Sequence, residues 1–409
     1  MSRRIVAKFG GSSVKDAQAM MQCQSILALN PEIQVVVISA TYNTTNQLEQ
    51  MARLAYAGKM SESLKLLHSN RDRHLLLSND LCILKAVTHL GNKLEEELES
   101  LFISAEAYIQ KLLDLSSLTL QQDEIEQNFL SLKDEILAIG ELASSLIFFT
   151  LLKQSQIRQD ICLLDARNLI TTNSDFAQAL PFVDEVEKQV KMAMALSPGK
   201  LFLTQGFIGR DEKGRTTTLG REGSDYTAAL LAYALSADLL QIWTDVPGIA
   251  TLDPRIQPDA AYLATSSYAD AALLASLGAK VLFWKTLDPC QKRNIPVWVG
   301  STWGPELAGT LISGQSSCDS LVAVAVMNNV DELRVHWDIP DGKAMVSLVG
   351  KISPIEIDKM HKYLQAFGVA FESKIGNGHY HFYVSQEESR SFAIYLHDIL
   401  FCRSHPEAV

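Results

Sequence analysis

The 409-residue chain has six cysteines, and no two of them form a C-x-x-C pair. Scattered thiols at Cys23, Cys82, Cys162, Cys290, Cys318 and Cys402 suit a reducing compartment and remove a structural zinc site from contention. Histidine is missing from the whole middle of the chain, between His89 and His336. Chemistry located there uses no histidine base and no histidine-ligated metal, and a serine-protease-like triad is excluded. An excess of basic charge is missing too: the formal net charge is -11, which argues against general nucleic-acid binding but leaves room for a locally cationic pocket. The P-loop spacing G-x-x-x-x-G-K-[ST] occurs at none of the Gly-Lys pairs. The longest strongly apolar run, LASSLIFFTLL (Leu142 to Leu152), is short for a bilayer and predicts a buried helix, so no membrane partner is expected. The N-terminus carries arginines without an apolar h-region; no signal peptide is read there, and a cytoplasmic location is expected.

What is present is a chain with 47% hydrophobic residues, enough for a large core and more than one domain. RIVAKFG reads as a buried strand, followed by a helix from the Ser13 region to about Leu27, and IQVVVISA (Ile33 to Ala40) as a second buried strand. From about Asn46 to Lys153 the pattern is mostly helical. Short apolar runs then return at ICLLDA, LFLTQGFIG, LLQIWTDV and IPVWVGS, separated by helical stretches such as DYTAALLAYALSA. This alternation predicts an α/β fold with a largely parallel sheet sandwiched by helices. SGQSSCDS (Ser313 to Ser320) reads as a linker, dividing the chain into domains 1–315 and 316–409. Beyond it the pattern runs strand, helix, strand, strand, helix, a small α+β unit of ferredoxin-like order. His379 and His381 alternate along one of these strands and are read as ordinary strand residues, since no third metal ligand is near in sequence. The adjacent His336 and Trp337 are read as packing.

Four stretches carry the chemistry. In IVAKFGGSSV, Lys8 stands before Gly10 and Gly11, where backbone amides can approach an anion and lysine supplies a point charge. GRTTTLGREGSDYTAALLAYAL (Gly214 to Leu235) crowds threonines, glycines, Arg221 and Asp225 before an apolar helix, more than a helix cap needs, and reads as a ligand-binding loop. IWTDVPGIATLDPR (Ile242 to Arg255) leaves a strand end, where α/β sheets gather ligands, although Pro-Gly and Asp-Pro would build a plain turn equally well. LGAKVL adds Lys280, which alone carries little weight.

Together KFGGSSV, TTTLGREGSDYTAA, WTDVPGIATLDPR and GAKVL resemble the aspartokinases of the amino-acid kinase superfamily in identity, order and spacing, over roughly residues 1–315. The resemblance implies transfer of the γ-phosphoryl of ATP to the β-carboxylate of L-aspartate, the first step towards lysine (diaminopimelate), threonine and methionine. A carboxylate acceptor is ionised at neutral pH and needs no general base, in keeping with the histidine-free middle. Catalysis then rests on positioning and charge neutralisation, by Lys8, Gly10 and Gly11 with Mg2+. The resemblance places Lys8 against the transferring phosphate and Asp225 at the transfer site as the catalytic pair. It assigns Thr45, Glu141 and Arg221 to the acceptor, with Ser39 lining the cleft. Arg221 offers the α-carboxylate a fork and Glu141 offers the α-ammonium an anion. Nucleotide contacts are implied for Lys8, Gly10, Gly11, Ser12, Thr244, Asp245, Arg255, Lys280 and Val281. ATP and Mg2+ are the expected cofactors, with no protein metal site.

Several positions depart from the family pattern: Glu222 and Asn43 where glycine is frequent, Ala250 for a common tyrosine, and Phe283-Trp284 for His-Pro. None removes Lys8, Glu141, Arg221 or Asp225, so activity is expected. The family commonly ends in two ACT units that bind an end product and pair subunits. Here LVAVAVMNNVDELRVHW resembles the opening of the first, and the chain then passes to a complete second. With most of the first unit missing, feedback by lysine or threonine is expected to be weak, altered or absent, and the apolar strands predict a homodimer through the C-terminal domain. Two alternatives stand beside the leading reading: an acyl kinase for another small amino acid, and a non-catalytic ACT-bearing regulatory subunit.

Overall fold

The computed structural model describes residues 3–85, 92–116, 118, 121–155, 157, 158, 160–196, 200–279, 284–314, 321–328, 337, 339–351, 353–376 and 378–402. The chain forms two compact units: Met1–Asp245 with Ser301–Pro305, and Val246–Gly300 with Glu306–Val409.

The first unit runs β1 (Ile5–Phe9), α1 (Ala17–Leu29), β2 (Ile33–Ile38), α2 (Thr44–Tyr56), α3 (Met60–Lys85), α4 (Asn92–Leu115) and α5 (Gln122–Ser155). It continues through β3 (Ile161–Leu164), β4 (Thr171–Thr172), α6 (Val183–Ala195), β5 (Leu201–Gln205), β6 (Ile208–Asp211), β7 (Thr216–Thr218), α7 (Gly223–Leu235) and β8 (Leu239–Thr244). Five strands lie in the order β3-β5-β2-β1-β8, and every pairing among them is parallel. β1 lies between β2 and β8, with Lys8 opposite Val37 on one side and Ile242 on the other. A parallel strand covered on both faces needs a continuous apolar run, which is why IVAKF is buried throughout. The chain moves from β1 to β2 on one flank and later to β8 on the other, making the carboxyl end of β1 a topological switch point.

The helix after β1 starts at Ala17 rather than near Ser13, because Asp16 provides the cap, accepting from the Ala19 N–H at 2.8 Å. The Ser13 hydroxyl is used elsewhere, donating to the Trp243 carbonyl at 3.2 Å and lying 2.7 Å from Thr302 Oγ1. Residues 10–16 therefore stay a loop. The helical stretch after β2 resolves into α2, α3, α4 and α5, whose apolar faces meet around Leu48, Met51, Phe102, Ile109 and Ile136. α5 contains the LASSLIFFTLL run. By length and composition it could cross a membrane, but 72% of its apolar window is buried inside the protein. It is a core helix, as expected, within a longer apolar stretch than the run alone indicated.

The second unit contains β9 (Thr265–Ser267), α8 (Tyr268–Ser276), α9 (Trp284–Lys292), β10 (Val297–Ser301), β11 (Thr310–Ser313) and β12 (Leu321–Met327). It ends with β13 (Lys343–Gly350), α10 (Pro354–Phe367), β14 (Glu372–Gly376), β15 (His379–Ser385) and α11 (Ser389–His397). The last four strands form an antiparallel sheet in the order β12-β13-β15-β14. Its core joins Val346, Leu348, Phe382, Phe392 and Leu396. The strand-helix-strand-strand-helix run is as read from the sequence, and the sheet has the ferredoxin-like strand arrangement with one change. The outer strand beside β13 is supplied by β12, from before the repeat, rather than by a strand after α11. LVAVAVM, which resembles the opening of a separate unit, thus completes this same sheet, with Val324 opposite Leu348. His381 is buried and 2.8 Å from the Ser347 hydroxyl, and Trp337 meets both strand histidines edge-on. Among the described residues no three metal-binding side chains cluster anywhere. His336 and most of the 313–320 linker lie outside the described residues.

Candidate active site

The carboxyl ends of β1, β2 and β8 point the same way, and the loops that leave them meet. Lys8 lies one residue before the end of β1 and is 6% exposed. Its Nζ is 2.5 Å from Asp225 Oδ1, on the first turn of α7, and Asp225 is itself 3% exposed. The contact is an ion pair without an aligned hydrogen bond. A buried pair of this kind leaves the lysine charge poised for another anion, and the helix N-terminus behind Asp225 adds partial positive charge.

The double glycine is explained by proximity. A Cβ on Gly10 would stand 3.3 Å from the Lys8 ammonium, and one on Gly11 would stand 2.9 Å from the Ala40 carbonyl. The Gly10 N–H donates to the Trp243 carbonyl at 3.1 Å, which ties this loop to β8. Among the described residues the Gly11 and Ser12 amides have no partner, so they, rather than Gly10, are the amides available to an anion.

Glu141, on α5, is a buried acid beside the Lys8–Asp225 pair. It is 3% exposed, and its Oε2 has no hydrogen-bond partner. Burial pushes its carboxyl up to about 8, against the opposing pull of the Ala40 N–H and of the Lys8 charge. The segment after β2 packs against this helix: a Cβ on Gly140 would touch Ala40 Cβ and Thr44 Cγ2 at 3.0 Å, and the Ser144 hydroxyl donates to the Ser39 carbonyl at 2.6 Å. Ser39 is buried, while Thr45 is half-buried in the first turn of α2. Asn43 precedes that helix with φ 63°, and Glu222 precedes α7 with φ 52°. Both stand in left-handed backbone, the conformation that glycine adopts without steric cost. The Glu222 side chain is solvent-accessible, yet its carboxyl is raised by partial desolvation and then by the Asp225 charge, against Lys8 and Arg221.

Arg221 is exposed in the same loop. Thr244 ends β8, its carbonyl accepting from the Thr302 N–H at 2.9 Å and its hydroxyl donating to Asp245 at 3.1 Å. The structure thus gathers Lys8, Gly10, Gly11, Ser12, Ser39, Thr45, Glu141, Arg221, Asp225, Thr244 and Asp245 in the first unit. Arg255 belongs to the second, exposed and held by Asp253 at 2.5 Å. Lys280 and Val281 lie outside the described residues, as does Phe283.

Two supports escaped the motif reading. Asp134 on α5 is fully buried and accepts from the N–H groups of Ala177 (2.9 Å) and Thr218 (2.8 Å) and from the Thr218 hydroxyl (2.8 Å). It sits seven residues, two helical turns, before Glu141 and anchors the strand that leads into Arg221. Burial raises its carboxyl to about 6, opposed by those same donors. Thr302, the second support, joins Ser13 to Thr244. An isolated acid in KDEIL and a threonine in GSTW carry no motif, so only their partners reveal them.

Residues 3–301 match the profile of the Amino acid kinase family. The chain is 36% identical over 339 residues to lysine-sensitive aspartokinase 3 of Escherichia coli (strain K12), covering 82% of this chain and 70% of that one. It is 33% identical to an aspartokinase of Chlamydia trachomatis, over 75% of this chain and 64% of the relative. The crystal structure of Escherichia coli aspartokinase III with aspartate and ADP superposes with a TM-score of 0.81 at 28% identity, over 97% of this chain and all of that one.

Proposed function

The chain belongs to the amino acid kinase family and, within it, to the aspartokinases; on that premise we propose that it transfers the γ-phosphoryl group of ATP to the β-carboxylate of L-aspartate, giving 4-phospho-L-aspartate and ADP. The observation that carries the acceptor is Glu141. A fully buried carboxyl with an unpartnered oxygen, beside a lysine-aspartate pair, is a site built for an incoming cation, and the α-ammonium of an amino acid supplies one. Arg221, in the loop before α7, is proposed to take the α-carboxylate with its fork.

The reaction requires no proton abstraction, since the β-carboxylate oxygen that attacks the γ-phosphorus is already ionised. The oxygen–phosphorus bond forms as the bridge to the β-phosphate breaks, and ADP leaves with the bridging electron pair. Lys8 neutralises charge on the transferring group, assisted by the Gly11 and Ser12 amides and the N-terminus of α7. Asp225 holds Lys8 in place before ATP arrives. Mg2+ would enter with ATP as its counter-ion and would neutralise phosphate charge alongside Lys8. Thr244, Asp245, Arg255, Lys280 and Val281 are proposed to hold the nucleotide. We place the enzyme in the cytoplasm as a homodimer, paired through an ACT-type region after residue 315.

The test is aspartate-dependent acyl phosphate, trapped with hydroxylamine, from the wild type and Lys8→Ala. The variant should lose on the order of 10^3-fold in rate, as for removal of a transition-state donor. Absence of aspartyl hydroxamate from folded, ATP-binding wild type would reject the assignment.

A further inference from the structure

Helix α3 plays no part in the mechanism above, yet it closes a hydrogen-bond circuit with the segment after β2. Arg73 Nη1 donates to the Tyr42 carbonyl at 3.0 Å, and Nη2 donates to Thr44 Oγ1 and, at 3.0 Å, to Asn70 Oδ1. Thr44 Oγ1 is 2.6 Å from Thr41 Oγ1, which is 3.3 Å from His74 Nε2. His74 Nδ1 is 2.7 Å from the Asn70 carbonyl. One fact orients every link. A carbonyl only accepts, so His74 carries its proton on Nδ1; Nε2 accepts from Thr41, Thr41 accepts from Thr44, and Thr44 accepts from Arg73. Thr41, Thr44 and His74 are all buried, and burial lowers His74 to about 4, so the neutral ring that the circuit requires is the form present at neutral pH.

The backbone held by this circuit is a wall of the site. The Ala40 N–H is the donor to Glu141, and the Ala40 carbonyl limits position 11 to glycine. Three residues on, Asn43 turns through left-handed backbone and makes no side-chain cap to α2; the Thr44 N–H closes the turn on the Thr41 carbonyl at 3.0 Å, and Arg73 adds a hold on the Tyr42 carbonyl and the Thr44 hydroxyl. We infer that Arg73 is a positioning residue for the acceptor amino acid, fixing the Tyr42–Thr44 backbone that presents Thr45 and Ala40 without itself touching substrate. The inference rests on the acceptor reading of the Glu141 site. The guanidinium also keeps a buried Nε with no partner, a local defect that a mere strut has no reason to retain.

The test compares wild type, Arg73→Ala, Arg73→Lys and Arg73→Gln in the hydroxamate assay, with amide hydrogen exchange of the 39–47 peptide. Arg73→Ala should raise KM for aspartate about tenfold or more while KM for MgATP stays within about twofold, with faster exchange in 39–47. Arg73→Lys, which restores a cation to one of the acceptors, should recover part of the loss. If Arg73→Ala fails to fold, Arg73→Gln, which keeps one donor, carries the same comparison. An unchanged KM for aspartate overturns the inference, and so does an equal rise in both KM values with a matching fall in stability. Wild type that forms no aspartate-dependent product overturns the acceptor reading along with it; active wild type beside an indifferent Arg73→Ala overturns this inference alone.

Discussion

Glu141 is where protonation and binding meet. With its carboxyl at about 8, the free enzyme holds a proton there at pH 7. An α-ammonium docking beside it favours the ionised form, lowers that value and expels the proton. Aspartate binding at pH 7 should therefore release about one proton, a quantity that fades as pH rises past 8. Titration calorimetry in buffers of different ionisation enthalpy measures it. Glu141→Gln should abolish the release and weaken aspartate binding by about 10^2-fold, the order expected for losing a buried charge partner. Glu222 gives a second residue-scale prediction. Its left-handed backbone disfavours any side chain by ~1 kcal/mol, and its carboxylate opposes the incoming phosphates. Glu222→Gly should lower KM for ATP by about threefold, the effect of one screened charge, without loss of thermal stability. Chain order made Lys8, Arg221 and Asp225 legible, because a glycine-lysine loop and a hydroxyl-rich loop announce an anion site by residue type. Asp134, Arg73 and His74 were not legible: each acts through a partner more than 28 positions away, and no local pattern encodes that.

At the scale of elements, α5 does two jobs with one face. Glu141 faces the proposed acceptor site, and Asp134 ties down β7 and the turn at Ala177, itself left-handed at φ 69°. Asp134→Ala would leave two buried N–H groups without an acceptor and should cost about 2–4 kcal/mol in urea unfolding. Asp134→Asn, which keeps an acceptor oxygen, should cost less. The same element scale shows why the expected helix start at Ser13 moved to Ala17. Hydroxyl chemistry marks a possible cap, but Ser13 is recruited by Trp243 and Thr302, and Asp16 takes the cap. Competition between local and tertiary hydrogen bonds decides such boundaries.

At the scale of the whole molecule, the four-stranded sheet of the second unit is complete only because β12 is added at its edge. Residues resembling the start of a separate regulatory unit are consumed in finishing this one. The expectation of weak, altered or absent feedback by lysine or threonine is open to direct measurement. Aspartyl phosphate formation should be insensitive to sub-millimolar lysine, and half-maximal inhibition by lysine in that range would refute it.

The sequence by itself determined the classes of element and the identity of the charged groups. Buried parallel strands must read as unbroken apolar runs, and a phosphate site must combine glycine with a cation. Tertiary structure alone decided which groups lose their water and what they lose it to. The elevated carboxyl of Glu141, the Lys8–Asp225 pair and the Arg73–His74 circuit are properties of distance and burial, set when strands remote in sequence align their carboxyl ends. Desolvation depends on what packs around a group, and a linear chain carries no record of its neighbours in space.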